Sequence, residues 1–322
     1  QGPSTASWDW LLAASEDTVW VSSGDRWYRG ERGSWVQLGP PATVQGAVLA
    51  SDGALWARTG DSQSGPGDLI RIEGETATVV ARDVHAAALF AGDNGEVWLG
   101  QTPTDQVVGF RADTSIQSID PPEGMDEVCL RSASSDGSLY VTEEIENKGD
   151  PDRMPCESDR TWARWNGQRW EAVELPPSLG SFEDDPPRFI GVNEDVAWSY
   201  SLGGSVLRRY AEGREREFDV SPALVLWPFG STAPARGMCG FEFRGEGGYD
   251  NDEEPKFIVC FDEAGESARF EVAGLGLTGF SVAPDGSVWV KGAGASWASS
   301  DNEGTGLSQA PQKVTLLAVP VP

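Results

Sequence analysis

The chain of 322 residues carries a single imidazole, His85, next-but-one to Asp83. One imidazole can act as a general base, but it cannot build the multi-histidine sites of zinc or copper enzymes. No Gly-x-Ser-x-Gly nucleophile elbow lies in a strand–turn–helix setting. The glycine-rich stretches 245–248 and 274–279 fall between apolar segments, where turns belong, and not before a helix that could cradle phosphate. Carboxylates are abundant and clustered. One cluster holds Glu143, Glu144, Glu146, Asp150, Asp152, Glu157 and Asp159, a second Glu183, Asp184 and Asp185, and a third Asp250, Asp252, Glu253 and Glu254. Hard oxygens at this density suit Ca²⁺, and Asp250, Asp252 and Glu254 are the candidate ligands. The run lacks the spacing and central glycine of an EF-hand loop. The alternative is an acidic, solvated surface, and no other cofactor is expected.

The four cysteines lack the paired short spacing of a zinc site. Cys239 and Cys260 lie on two apolar segments, 238–243 and 257–261, nearly equidistant from the polar loop between them. That places them opposite each other on a hairpin. Cys129 opens another strand, and Cys156 sits in a long polar insert. Two disulfides are expected, Cys129–Cys156 and Cys239–Cys260, and with them an oxidising compartment: extracellular, cell-surface or periplasmic. Four reduced, buried thiols are the alternative.

The chain has 51 Asp+Glu against 24 Lys+Arg, a formal charge of −27. Such a balance excludes direct binding to a phosphate backbone, which needs clustered Lys and Arg. Glycine (39) and proline (21) form nearly a fifth of the chain, which suits short strands and turns better than helical bundles. No apolar run reaches membrane-spanning length. Residues 1–4, Gln-Gly-Pro-Ser, resemble the remnant of a cleaved purification tag, so residues 5–322 are read as one domain, and a leader or membrane anchor is expected upstream of Thr5.

The elements that must carry these groups are legible in a repeat. Asp/Asn-Gly, one residue, an aliphatic and an aromatic recur as Asp52-Gly53-Ala54-Leu55-Trp56, Asn94-Gly95-Glu96-Val97-Trp98, Asp136-Gly137-Ser138-Leu139-Tyr140 and Asp285-Gly286-Ser287-Val288-Trp289. Glycine-free versions end at Trp20 and Trp198. The Asp-Gly or Asn-Gly pair supplies the positive φ of a tight hairpin, and the apolar run after it is a strand. The aromatics at 20, 56, 98, 140 and 198 are spaced 36 to 58 apart, and the last step, to 289, is 91. A degenerate unit around 238–243 fills that gap. Each unit reads as four strands; in the third these are 86–90, 96–100, 107–111 and 115–119. The fold expected is all-β, a single β-propeller, most simply of seven four-stranded blades, with six or eight as alternatives. The recurring tryptophans are then packing between blades before they are a carbohydrate platform.

These repeats resemble the bacterial propellers of the two-component-regulator, lyase-like and NHL type. The likeness covers nearly the whole chain through short motifs and speaks to architecture. Relatives of that kind include lyases, in which histidine serves as base or relay, and lactonases, which use Glu, Asn and Asp around a central Ca²⁺. Asn193 and Glu194 are candidates for the latter, but no motif carries those roles over. In such a fold the second-to-third-strand loops and the connections between blades share one face. The inserts 59–68, 143–160 and 244–256 and the connection 176–188 all have that parity, so the acidic clusters are expected to gather there. The function expected is a non-catalytic extracellular binding or sensor domain. Its acidic loop face would take a protein, peptide or small ligand, cationic by complementarity. No catalytic residue is assigned, and His85 is expected to be packed or solvated. The alternatives are a Ca²⁺-dependent lactonase or lyase-like enzyme at the tunnel mouth, and a structural or assembly propeller.

Overall fold

The computed structural model describes residues 8–15, 17–23, 25–31, 34–39, 43–60, 65–86, 88–100, 104–133, 137–143, 161–173, 188–193, 196–200, 206–211, 214–221, 224–226, 238–243, 255–262, 264–271, 277–283, 288–292 and 316–317. Strands follow one another as antiparallel meanders. The first sheet is β1 (Trp8–Ala13), β2 (Thr18–Ser23), β3 (Arg26–Glu31) and β4 (Ser34–Leu38). The second is β5 (Val44–Leu49), β6 (Leu55–Thr59), β7 (Gly67–Glu73) and β8 (Thr76–Val84). Then come β9 (Ala88–Ala91), β10 (Val97–Gly100), β11 (Val107–Phe110) and β12 (Ile116–Ile119), followed by β13 (Val128–Ala133), β14 (Leu139–Glu143), β15 (Trp162–Trp165) and β16 (Trp170–Val173). The fifth is β17 (Arg188–Asn193), β18 (Val196–Tyr200), β19 (Val206–Ala211) and β20 (Arg214–Asp219). The sixth is β21 (Leu224–Leu226), β22 (Met238–Phe243), β23 (Pro255–Asp262) and β24 (Gly265–Glu271), and the last is β25 (Leu277–Val282), β26 (Val288–Gly292) and β27 (Leu316–Leu317).

This is the expected all-β propeller, but the expectation of seven four-stranded blades is corrected. Among the described residues six sheets have four strands, and the last has three. The reason lies in the connections. The four-stranded sheets have a fourth strand running back along the third. In the last sheet the third strand is only Leu316–Leu317, paired with Trp289 and Val288, and no described strand pairs with its outer edge.

The hairpins form for the local reason the repeat suggests. At Asp52-Gly53 the glycine sits at φ +82°, its N–H donates to the Ala50 carbonyl at 2.9 Å, and the Asp52 carboxylate accepts from the Ala54 N–H at 3.0 Å. Asn94 and Gly95 are both left-handed, at +52° and +76°. The strand after the turn is buried on both faces: all five residues of β6 are buried.

The chain divides into two compact units. One comprises Gln1–Gln37, Leu202–Leu207 and Phe218–Pro322, and the other Leu38–Ser201 and Arg208–Glu217. In the second unit successive sheets pack face to face. Val48, Trp56, Leu69 and Val84 meet Leu89, Val97 and Phe110 of the following sheet, and Trp98 and Val107 meet Leu130, Leu139 and Val141 of the one after. Trp20, Trp56, Trp98, Trp198 and Trp289 are all buried, as packing residues should be. Each such ring removes enough apolar surface to supply about 4–6 kcal/mol before entropy is counted.

In the first unit the first and last sheets join. Ala13, Val19 and Val21 pack on Ala283 and Trp289, the Ala13 N–H donates to Ser281 Oγ at 2.9 Å, and Trp289 Nε1 donates to the Ser15 carbonyl at 2.8 Å. In the same unit the Cys239–Cys260 disulfide bridges directly opposed residues of β22 and β23. Cys129 is also disulfide-bonded, and its expected partner Cys156 lies outside the described residues. Among the described residues no helix is long and apolar enough to cross a membrane.

Candidate functional site

In each four-stranded meander the second-to-third-strand loop and the exit of the fourth strand leave the same end of the sheet. In the β5–β8 sheet that end has an unusual interior. Arg58, on the fourth position of β6, is 1 % exposed, among the largest fully buried side chains of the molecule. Its Nε donates to the Val84 carbonyl at 3.2 Å, and Nη2 donates to the carbonyl of Gly65. Val84 ends β8, and Gly65 belongs to the β6–β7 loop. One guanidinium therefore ties the loop to the connection that leads into the next sheet. Burial lowers the Arg58 pKa.

The backbone around Arg58 is irregular. The β7–β8 register shifts between Gly67 and Leu69 and again between Leu69 and Ile70. Gly67 packs so closely on Thr59 that a Cβ there would overlap the Thr59 carbonyl oxygen. Thr59 Oγ1 donates to the Asp68 carbonyl at 3.2 Å. Gly60 exchanges bonds with the start of β5: its N–H donates to Thr43 at 3.1 Å, and its carbonyl accepts from Gln45 Nε2 at 2.9 Å. Asp83 holds φ at +55°, a left-handed value for a residue with a side chain. Two residues on stands His85, exposed, between β8 and β9. The chain's one imidazole thus sits at the loop end, on a connection braced from beneath by a buried arginine.

Asp120, Glu123, Asp126 and Glu127 are exposed between β12 and β13, and the half-buried Glu143 closes β14 with its N–H on the Thr161 carbonyl at 3.1 Å. Of the acidic residues singled out from the sequence, Glu143 is therefore at the expected end of its sheet. Glu144, Asp150, Asp152, Glu183, Asp184, Asp185, Asp250, Asp252, Glu253 and Glu254 lie outside the described residues. Among the described residues no three His, Cys, Asp or Glu side chains converge as a metal site would require.

Sequence reasoning missed Arg58, which reads as one more polar residue in a strand. It also missed a second regularity. The repeat's aromatic on the second strand carries an arginine over its ring from the third: Arg29 on Trp20, Arg71 on Trp56, Arg164 on Tyr140 and Arg209 on Trp198, at 5.8 to 6.0 Å from the centroid. In the β9–β12 sheet the same place is Gly109, opposite Trp98, where a Cβ would strike the indole. An arginine following each aromatic at a variable interval was the available signal.

The sequence matches no protein-family model and no curated protein. Solved structures do match it over about nine-tenths of its length. A streptogramin B lyase is 17 % identical over 90 % of this chain and 91 % of its own, with a TM-score of 0.51. A catalytically inactive histidine-to-alanine form of virginiamycin B lyase from Staphylococcus aureus, with quinupristin, is 15 % identical over 87 % and 89 %, also at 0.51. YCF48 bound to D1 peptide is 10 % identical over 91 % of each chain, at 0.52. The expectation of a non-catalytic binding or sensor domain is corrected on this ground. It leaned on the scarcity of histidine, and one of these lyases is inactive once a single histidine is replaced. One imidazole is no argument against catalysis in this fold. The chain is a β-propeller related in fold to the bacterial lyase-like propellers that its repeats resemble.

Proposed function

We propose that the protein is a lyase-like propeller enzyme acting at the loop end of the β5–β8 and β9–β12 sheets, with His85 as its general base. The observation that carries this reading is the position of the sole imidazole, exposed at the loop end on a connection held by Arg58. A lyase removes a proton from carbon while a leaving group departs, so it needs a base that reaches the substrate. His85 is open to solvent and fits that need. The acids of the 120–127 connection favour a substrate without negative charge, cationic by preference. The fold likeness to lyases supports the reaction class, and the Cys239–Cys260 disulfide supports an oxidising compartment outside the cytoplasm.

The test is turnover. The protein is incubated with quinupristin and a panel of cyclic esters and lactones, with and without a chelator, beside the His85→Ala variant. Product formation by the wild type, lost in the variant, is the expected result. No turnover of any panel member, or equal turnover by the variant, overturns the assignment of His85. Loss of wild-type turnover on chelation would return a metal to the mechanism.

A further inference from the structure

Arg58 invites a question that stability alone does not answer. A guanidinium buried on backbone carbonyls is costly to place, and a hydrophobic residue of similar size would fill the same space. What an apolar side chain could not do is join two separate loops. Arginine presents five donors in a rigid planar fork and reaches two acceptors at a fixed mutual angle, whereas lysine offers one compact charge on a flexible stem. Among the described residues its acceptors include Gly65, in the β6–β7 loop, and Val84, the residue directly before His85.

The surrounding backbone gains nothing regular from this arrangement. Two register shifts, the forced glycine at position 67 and the left-handed Asp83 all fall within a few residues of the clamp. Irregular backbone of this kind persists where surrounding contacts over-determine it. The segment it holds in place leads straight to the imidazole.

We propose that Arg58 is a positioning residue for His85: its guanidinium fixes the Val84 carbonyl against the β6–β7 loop and thereby sets where the imidazole stands. The proposal deepens the catalytic reading above and rests on it for its consequence in turnover. The geometric part stands by itself and is tested by itself.

The protein has one histidine, so selectively labelled imidazole gives one NMR signal, assigned without mutagenesis. That signal is followed through a pH titration in the wild type, Arg58→Lys, Arg58→Met and, as a control on the same sheet, Ile72→Val. A displaced or broadened His85 signal with a shifted titration midpoint in folded Arg58 variants, and an unchanged one in Ile72→Val, is expected. Superimposable signals and titrations in wild type and folded Arg58→Lys overturn the proposal. Exchange of the Arg58 Nε–H in the wild-type protein keeps the question decidable if neither Arg58 variant folds. That proton, donated to the Val84 carbonyl, should exchange slowly, and exchange at the rate of a free guanidinium overturns the clamp. With a substrate in hand, Arg58→Lys should lower kcat by about tenfold to a hundredfold and leave KM nearly unchanged. A wild type that turns over nothing defeats the catalytic reading, while the NMR result still decides the clamp.

Discussion

Arg58 and Arg71 lie on adjacent strands of one sheet and do opposite things. Arg71, towards the turn end, bonds the Asp52 carboxylate at 2.8 Å and Glu73 at 2.6 Å while lying over Trp56. Burial lowers its pKa, but the hydrogen bonds and charges of Asp52 and Glu73 outweigh that and raise it overall. Arg58, towards the loop end, is deeper, grips carbonyls, and is shifted down by burial. The turn end is a hairpin of ordinary geometry with its charge balanced locally. The loop end is strained and held together by one donor fork. The first arrangement serves the fold; the second spends regular geometry on the placement of a connection.

Substitutions at the two ends test that contrast. Trp56→Ala removes the fully buried ring beneath Arg71 and should cost about 3–5 kcal/mol in denaturant unfolding. Arg58→Met should follow at about 2–3 kcal/mol, because the buried Val84 carbonyl and the part-buried Gly65 carbonyl lose their donor; a loss below that of Asp52→Ala would erase the distinction between the ends. Gly67→Ala, forcing a methyl against the Thr59 carbonyl, should cost about 2 kcal/mol and disturb the loop end only. Asp52→Ala should cost about 1 kcal/mol, since Arg71 is exposed on one side and keeps Glu73. The His85 signal should not move in that variant.

The smallest effect concerns the same carboxylate-paired class in the other unit. Arg269 holds Glu266 and Glu242, each at 2.8 Å, and its hydrogen bond to Glu266 holds that carboxyl below the ordinary carboxylate range. A carboxylate with a depressed folded pKa stabilises above its unfolded value and loses that contribution as pH falls through the folded one. Glu266→Gln should therefore remove a few tenths of a kcal/mol at neutral pH, and flatten the acid limb of a stability–pH curve. An unchanged acid limb would show the pair to be fully screened.

The strands were legible because their signals are local. The turn at Asp52-Gly53 and the apolar run after it act within five residues, and the third unit's strands emerged within a residue or two of their expected places. The Cys239–Cys260 pairing was legible because equal distance from a hairpin loop fixes register. The final apolar run, residues 314–319, was legible as a strand of the last sheet, where Leu316–Leu317 pairs with Trp289 and Val288; that it stands third and has no described fourth beside it was not. Arg58 was hidden for a different reason. Its neighbours in space, Gly65 and Val84, are a loop residue and a strand end, and neither has a side chain that announces an acceptor. Composition also misled the functional reading: counting histidines measures how many sites are possible and says little about whether one is enough.

The joint between the first and last sheets sets an order of assembly. Ala13 and its acceptor Ser281 are 268 residues apart. At synthesis rates of roughly 5–20 residues per second, roughly 15 to 50 s separate their appearance. Until then Val19 and Val21, which end up fully covered, have no partner surface from β25 and β26. The N-terminal meander must wait with its apolar face open, so the newborn chain is most vulnerable to aggregation before its C-terminal sheet arrives.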